Sequence, residues 1–322
     1  MKILKNREAL LALAILLLVG GVAVRFPAFV RPANLVNVFN DTSPLILLAI
    51  GQMIVILTKC IDLSVAATLA LCGMVAALLN GAGVPLPLIL VLVVALGAVM
   101  GAINGLLVWR LGIPSIVVTL GTMTIYRGTI FLMTQGAWVN AHQMTAGFKA
   151  LPRTVIAGLP VMSWIALAAI GLFVILLTRT PLGRAFYAVG GNPHAAVYAG
   201  ISVGRTQFMA FVISGALAGL TGYLWVARYA VAYVDIANGF ELSVVAACVI
   251  GGVAIAGGAG SVLGTVMGAL FLGVINNALP VIGISPFWQM AISGSAIVLA
   301  VAFNSAQNRP AGRIILKPVE PT

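Results

Sequence analysis

Acidic side chains are so rare in this sequence that the two lying among apolar residues are candidates for chemistry. The 322 residues include six Asp and Glu residues in total. Asp62 and Glu241 each begin a similar tetrapeptide, Asp-Leu-Ser-Val and Glu-Leu-Ser-Val, which places Ser64 and Ser243 two residues later. Carboxylates accept hydrogen bonds and hydroxyls both donate and accept them, so these groups suit a ligand rich in hydroxyl groups. The alternative is that both acidic residues cap the helices that follow them.

Arg127 is a further candidate because it lies within an apolar run. A charge inside a membrane span marks a functional site by default. The alternatives are a structural ion pair or a side chain that extends to the membrane interface. Phe287 and Trp288 lie at the edge of another apolar run, where aromatic side chains anchor a helix at the interface or could stack on a sugar ring.

The composition excludes an ordinary soluble protein. Hydrophobic residues make up 62% of the chain and charged residues 7%, whereas soluble domains average about 25% charged residues. We therefore predict one membrane domain over residues 1–322. The net charge of +11 comes from basic residues that stand singly between apolar runs. This placement indicates topology signals and a lipid environment, and it predicts no nucleic-acid partner.

Neither the cysteines nor the histidines have the spacing of a metal site. The three cysteines lie in or beside apolar runs and form no CxxC pair. The two histidines, His142 and His194, are far apart in the sequence. We therefore predict no metal site.

The apolar runs predict an all-α integral membrane protein with about ten transmembrane helices, since a helix needs roughly 20 apolar residues to cross a bilayer. The predicted spans are residues 9–24, 42–58, 63–80, 86–109, 113–134, 159–178, 207–226, 242–256, 260–280 and 286–304. If the second span begins after Pro44, it has only 14 residues before Lys59, which is too short to cross the bilayer alone. The eighth span is also short and is interrupted at Gly251-Gly252.

The basic residues predict the orientation. With both termini in the cytoplasm, eleven Lys and Arg residues fall in cytoplasmic segments and five in external loops, as the positive-inside rule requires. Residues 135–158 then form an external loop and residues 179–206 a cytoplasmic one. We expect a multi-pass protein of a bacterial inner membrane.

The two halves of the chain resemble each other. The run Leu96-Gly-Ala-Val-Met-Gly-Ala102 matches Leu263-Gly-Thr-Val-Met-Gly-Ala269 at all but one position. The tetrapeptides at Asp62 and Glu241 match in the same order, at the same offset of five spans. An odd offset inverts the second half across the membrane, so we predict an inverted repeat of five plus five helices.

The cytoplasmic loop contains signals for two short helices placed back to back. Thr180-Pro181 and Asn192-Pro193 are helix starts, and Gly190-Gly191 and Gly200 are helix stops. Helices this short are marginal alone, so either the membrane domain or a partner protein must hold them. The side chains of Arg184, Tyr187, Asn192 and His194 favour docking to a cytoplasmic motor.

Several of these blocks resemble one family. The run Gly183-Arg-Ala-Phe-Tyr-Ala-Val-Gly-Gly-Asn-Pro193 resembles the coupling loop of permeases from ribose-type, binding-protein-dependent ABC importers. Ile61-Asp-Leu-Ser-Val65 is similar to the family's Ile-Asp-Leu-Ser-Val-Gly motif. Four further blocks follow in the family's order: Thr119–Met123 with Tyr126–Gly128, Cys248–Gly252 with Gly257–Gly264, Gly273–Asn277, and Ser285–Gln289.

The chain also departs from the family pattern. Ala66 stands where the family usually has Gly. Asn192-Pro-His-Ala replaces the commoner Asn-Glu-Glu-Ala, which removes two charges from the coupling loop. Within the family the resemblance is closest to permeases for rhamnose or other 6-deoxy sugars and to the autoinducer-2 branch.

The resemblance implies a division of labour between subunits. A periplasmic sugar-binding protein would deliver the substrate, this chain and a second copy or homologue would form the path, and a cytoplasmic ABC ATPase would use ATP. Its contact with this chain would involve the coupling-loop residues Arg184, Tyr187, Gly190, Gly191, Asn192, Pro193 and His194. The sequence itself contains no G-x-x-x-x-G-K-[S/T] phosphate loop. We therefore predict a transport subunit that is not an enzyme and binds no cofactor.

An ion-coupled secondary sugar carrier is the alternative function, because such carriers also contain inverted repeats. A carrier of that kind needs titratable groups inside the membrane. Asp62, Glu241 and Arg127 are the residues that could serve.

Overall fold

The computed structural model describes residues 7–284 together with Trp288, Ala291, Gly294 and Ser295. Nearly all residues with regular secondary structure in this part of the chain are helical. The helices are α1 (Arg7–Arg25), α2 (Pro32–Leu57), α3 (Val65–Gly81), α4 (Leu86–Leu111), α5 (Ser115–Thr134), α6 (Ala146–Ala150), α7 (Val161–Arg179), α8 (Pro181–Gly191), α9 (Pro193–Tyr198), α10 (Val203–Tyr229), α11 (Phe240–Ile250) and α12 (Val262–Val281).

Two small antiparallel strand pairs complete the described structure. Strand β1 (Val139–Asn140) pairs with β4 (Val231–Ala232), and β2 (Val155–Ile156) pairs with β3 (Leu159–Pro160). The β1–β4 pair joins the long loop after α5 to the loop after α10.

Seven of the described helices are long and apolar enough to cross a membrane: α1, α2, α4, α5, α7, α10 and α12. Helices α3 and α11 are apolar but shorter. The predicted all-α membrane class is therefore confirmed. These nine helices correspond to the first nine predicted spans. The tenth, residues 286–304, lies outside the described residues apart from Trp288, Ala291, Gly294 and Ser295.

Helix α2 forms the centre of the bundle. Every residue from Thr42 to Leu57 is buried, and α2 is in contact with α7, α10, α11 and α12. In contrast, α1, α4, α5 and α7 turn apolar side chains outward, among them Leu16, Val91, Val117 and Leu172. An enclosed centre within an apolar outer surface is the arrangement that a bilayer requires.

The second span does not begin after Pro44, so it is not the short segment that such a start would give. Helix α2 begins at Pro32 and continues through Pro44 for 26 residues in all. A proline removes one backbone hydrogen bond from a helix. Beside it, the Thr42 hydroxyl donates to the Val38 carbonyl at 2.7 Å and the Ser43 hydroxyl to the Phe39 carbonyl at 2.9 Å. Such hydroxyl bonds and the enclosing helices allow an interrupted helix to persist. The eighth predicted span is interrupted as predicted, because α11 ends at Ile250 and Gly251 follows as its C-cap residue.

Helices α4 and α10 pack backbone against backbone through glycines. A Cβ atom on Gly101 would lie 2.1 Å from the carbonyl oxygen of Phe211, and one on Gly97 would lie 2.2 Å from that of Gly215. No side chain fits in this space. Small residues at a spacing of four allow such close contact between membrane helices.

The bundle has two ends, which we name after the short helices that lie there. At the α8 end, the end of α2, the start of α12 and α8 itself come together through Leu57, Gly190 and Gly258. At the α6 end, Phe148 of α6 packs edge-on against Tyr223 of α10, with ring centroids 5.0 Å apart.

We expect Gly101→Val to lower the thermal unfolding midpoint of the detergent-solubilised protein, because the new side chain would overlap the α10 backbone. Overpacking of a well-packed site typically costs about 1–3 kcal/mol. Gly171→Val in α7 is the matched control, because nothing lies within 4 Å of a Cβ atom there. Equal midpoints for the two variants would contradict the close packing of α4 and α10.

Candidate functional site

Capping side chains build the two short helices α8 and α9. The Thr180 hydroxyl accepts a hydrogen bond from the Gly183 N–H at 3.1 Å, and the Asn192 side-chain oxygen accepts one from the Ala195 N–H at 3.1 Å. Each helix has proline at its first position. Gly200 follows α9 with a φ of 79°. The helix starts and the second stop are as the sequence predicted.

Helix α8 ends at the predicted stop, but the two glycines there are themselves helical, which changes the reason for glycine at this point. Gly190 and Gly191 belong to α8, and neither has a positive φ. A Cβ atom on Gly190 would lie 1.7 Å from the Leu57 carbonyl oxygen and 2.3 Å from the Gly258 nitrogen. Nothing lies within 4 Å of a Cβ atom on Gly191, which is exposed. Glycine is therefore required at 190 because of close packing.

Helix α8 is bonded to the segment between α11 and α12. The Tyr187 hydroxyl donates to the Gly260 carbonyl at 2.9 Å. Burial raises the pKa of Tyr187 above its ordinary value, which keeps this donor protonated. The Gly258 N–H in turn donates to the Leu57 carbonyl at 3.0 Å. Helix α8 thus contacts the end of α2 and residues 257–260 at the same place.

The opposite face of α8 and α9 is open. Arg184, Asn192 and His194 are exposed, and Pro193 is half-buried. The side chains of Val197 and Tyr198 are 59% and 93% exposed. These two residues were not predicted from the sequence, although apolar residues on a short capped helix were a signal for them. Exposed apolar groups among polar ones are typical of a surface that binds another protein.

Asp62 is part of a buried polar cluster at the α8 end. Its side chain is 2% exposed. The carboxylate accepts from the Ser64 N–H at 2.9 Å and from the Ser64 hydroxyl at 2.6 Å, just before α3 begins. Asn104 of α4 donates to the Ser64 hydroxyl at 2.8 Å. In the orientation that satisfies its hydrogen bonds, the Gln52 side-chain amide bonds to both backbone groups of Asp62. The bond to the Ser64 N–H fixes the turn that precedes α3, whose N-cap residue is Ser64 itself.

This cluster contains a polar atom that is not satisfied. Among the described residues, the side-chain oxygen of Asn104 is buried without a hydrogen-bond partner, whereas the Ser214 hydroxyl lies within interaction range of the Asp62 carboxylate. Within the described part of the chain, no Lys or Arg forms an ion pair with Asp62. Buried polar groups normally have partners, so the cluster has capacity for a further donor.

Arg127 holds the loop that precedes α11. Its guanidinium donates to the carbonyl oxygens of Val234 at 2.5 Å and Ile236 at 2.7 Å. The carboxylates of Asp235 and Glu241 are within electrostatic range of it. In the part of the chain that the structure describes, Arg127 is thus bonded to backbone carbonyls of this loop and forms no close ion pair, which was one of the structural alternatives.

The two acidic tetrapeptides meet through the leucines beside their carboxylates. Leu63 and Leu242 line one apolar cavity of about 340 Å³, and its other lining residues are Ile61, Ile116, Val245 and Gly294. Asp62 and Glu241 are not among its lining residues. Glu241 and Ser243 are half-buried in the first turns of α11.

The remaining predicted residues are the two aromatic ones, Phe287 and Trp288. Trp288 is helical and 66% exposed, whereas Phe287 lies outside the described residues. Over residues 7–284, no three His, Cys, Asp or Glu side chains are grouped as metal ligands.

Comparisons with known proteins agree with this architecture. Residues 34–301 match the family model described as branched-chain amino acid transport system / permease component. The autoinducer 2 import system permease protein LsrC of Enterobacter sp. (strain 638) is 37% identical over 296 residues, which cover 92% of this chain and 86% of that protein. The proteins of the same name from Salmonella typhi and Escherichia coli (strain K12 / DH10B) are 36% identical over 299 residues and 34% identical over 301, covering 93% of this chain and 86% and 87% of those proteins. No solved structure matches the chain significantly. The chain therefore belongs to this family of transport-system permeases, and its resemblance to the permeases of ribose-type ABC importers is confirmed.

Proposed function

We propose that this chain forms the membrane path of a binding-protein-dependent ABC importer and is driven through α8 and α9 by a separate cytoplasmic ATPase. The observation that carries the proposal is the two-sided nature of α8. One face is fixed to the bundle at Leu57 and Gly258 without intervening side chains, and the neighbouring surface of α9 exposes Val197 and Tyr198. A rigid inner contact beside an open outer surface is what a coupling element needs.

The contacts of α8 indicate how movement would reach the path. A displacement of Gly190 acts directly on the Leu57 carbonyl at the end of α2. The next seven residues contain Lys59, whose φ of 65° marks a sharp turn, and Asp62, which accepts a hydrogen bond from the Ser64 N–H just before α3. The end of α2 and the start of α3 would therefore move together when the ATPase moves α8.

We propose that the substrate passes between the two acidic tetrapeptides. The leucines of both tetrapeptides line one cavity. The Asp62 cluster contains the buried side-chain oxygen of Asn104, which has no hydrogen-bond partner among the described residues. The residues assigned to the path are those identified from the sequence: Asp62, Ser64, Arg127, Glu241, Ser243, Phe287 and Trp288.

The substrate class follows from the relatives. The similar permeases are named as subunits of autoinducer 2 import systems. The sequence motifs resemble those of permeases for small sugars. We propose a monosaccharide-like substrate: rhamnose or another 6-deoxy sugar, a pentose, or an autoinducer-2-like molecule. A periplasmic binding protein would deliver it, and a second copy of this chain or a homologue would complete the path. The ion-coupled carrier is not favoured, because the relatives are permeases of import systems.

We also propose ten spans in one inner-membrane domain, with both termini and α8 in the cytoplasm and the α6 end outside. The helix contacts support a five-plus-five inverted repeat. Helix α4 packs on α3 and α10, and α12 packs on α11 and α2. In such a repeat the fourth span (α4) corresponds to the ninth (α12), the third (α3) to the eighth (α11), and the seventh (α10) to the second (α2). The two sets of contacts are then equivalent.

The docking surface can be tested with two valines of similar exposure. Val197 in α9 and Val155 at the α6 end are 59% and 63% exposed. We expect Val197→Glu to reduce co-purification of the ATPase by about ten-fold or more, because a charge would be placed in an apolar contact. Val155→Glu should leave co-purification at the parental level. Equal loss, or no loss in either variant, would remove α9 from the ATPase contact.

The coupling contact can be tested with the two adjacent glycines. We expect Gly190→Ala to abolish the stimulation of ATP hydrolysis by the loaded binding protein in a reconstituted transporter, because its Cβ atom would overlap Leu57 and Gly258. Gly191→Ala should retain it. If Gly190→Ala folds, binds the ATPase and is stimulated like the parent, α8 does not transmit movement through α2.

The path assignment can be tested at Asp62. An Asn side chain keeps an oxygen that can accept the Ser64 N–H bond, whereas Ala cannot. We expect Asp62→Asn to lower ATP-dependent uptake while the folded yield stays unchanged, and Glu241→Gln to do the same. Loss of a cap costs about 1 kcal/mol. Parental uptake by Asp62→Asn together with a lower folded yield for Asp62→Ala would make Asp62 a cap alone.

A further inference from the structure

A second, polar cavity lies between α2, α10, α11 and α12, away from α8 and from the Asp62 cluster. Its volume is about 250 Å³, and it is lined by Asp41, Thr42, Leu45, Trp225, Tyr229, Phe240, Gly273, Asn276 and Asn277. Ligand pockets usually measure about 300–1,000 Å³, so this cavity suits a small molecule. None of its lining residues was a candidate in the sequence.

The cavity offers several hydrogen-bonding groups in a small volume. Asp41 contributes a carboxylate, Thr42 a hydroxyl, and Asn276 and Asn277 two amides. The Thr42 hydroxyl donates its hydrogen to the Val38 carbonyl, which leaves its oxygen as an acceptor. The Asn277 amide nitrogen donates to the Gly273 carbonyl at 2.9 Å. Acceptors and amides within one cavity suit a ligand that carries several hydroxyl groups.

An aromatic cluster forms the wall beside α11. The Trp225 ring lies 5.3 Å from that of Tyr229 and 5.0 Å from that of Phe240, the latter edge to face. Aromatic rings in such contact are held in fixed positions and present apolar surface. A sugar-like molecule has an apolar C–H surface as well as hydroxyl groups, and it could use this wall and the polar groups together.

The charge of the cavity selects against ionic ligands. Asp41 forms an ion pair with Arg228, so its charge is already balanced. Arg228 is not among the lining residues, and the Arg228 carbonyl accepts hydrogen bonds from Arg153. An amino acid zwitterion would need a cationic group for its carboxylate, and none of the described Lys or Arg residues lines the cavity. A neutral ligand needs only hydrogen bonds.

We propose that this cavity, which we call the α6-side vestibule, binds a neutral polyhydroxylated molecule as a low-affinity station on the transport path. The proposal rests on the proposed function, because it assigns a substrate class to the same path. The vestibule lies in the half of α2 nearer the α6 end, where a molecule delivered from that side would arrive before it reached the leucine-lined cavity. It favours sugar-like substrates over the branched-chain amino acids named in the family description.

The test is equilibrium binding to the purified full-length permease in nanodiscs, without the ATPase. The probes are radiolabelled L-rhamnose, D-ribose and synthetic autoinducer 2, each with L-leucine as competitor. We expect saturable binding of at least one probe that leucine does not displace. Asn277→Ala and Trp225→Leu should each weaken it by about ten-fold, the effect of losing one good contact. Asn37→Ala on the exposed surface of α2 should leave it unchanged.

Monodisperse elution of each variant shows that a loss of binding is not a loss of folding. The vestibule proposal is overturned if none of the three probes binds, if leucine displaces the bound probe, or if both variants bind like the parent. ATP-dependent uptake by the complete transporter is measured separately. If the complete transporter shows no uptake but binding is intact and sensitive to the variants, the importer function is refuted and the vestibule proposal stands. If the transporter shows uptake but the vestibule does not bind the probes, the vestibule proposal is refuted and the importer function stands.

Discussion

The structure depends on one contact in which the backbones of three segments meet without side chains between them. Gly190 of α8 lies against the Leu57 carbonyl at the end of α2, and the same carbonyl accepts the N–H of Gly258. A side chain at this point would separate α8 from the bundle. Because interfaces between packed elements are stiff, the contact transmits displacement rather than absorbing it. In the proposed importer, a partner that moved α8 would therefore move the end of α2 with it.

The rest of the bundle is organised around the helix that ends at this contact. Helix α2 is enclosed by α7, α10, α11 and α12, and close backbone packing also joins α4 to α10 through Gly101 and Phe211. In a bilayer, apolar surface alone does not bring helices together, since lipid is equally apolar. Close backbone approach and buried hydrogen bonds must do so. The Asp62, Ser64 and Asn104 bonds are of this kind, because they join the start of α3 to α4.

Much of this architecture could be predicted from the sequence, because it depends on local signals. Apolar runs located the spans, and Thr180 and Asn192 marked helix starts by the side chains that cap them. What failed depended on partners distant in sequence. The continuation through Pro44 depends on enclosing helices, and the need for glycine at 190 comes from Leu57 and Gly258. Asp41 gave no local signal because its partner, Arg228, is 187 residues away.

The position of Pro44 has a consequence for how movement would travel through the bundle. Helix α2 carries Leu57, which α8 contacts, at one end and Asp41, which lines the vestibule, nearer the other. Between them, one backbone hydrogen bond of the helix is missing at Pro44. Helices bend where such bonds are missing. Asp41 and Thr42 therefore lie on the outer side of the missing bond, and Leu57 lies on its inner side. In the proposed importer, a bend at Pro44 would change the shape of the vestibule wall without moving the packed segment that ends at Leu57.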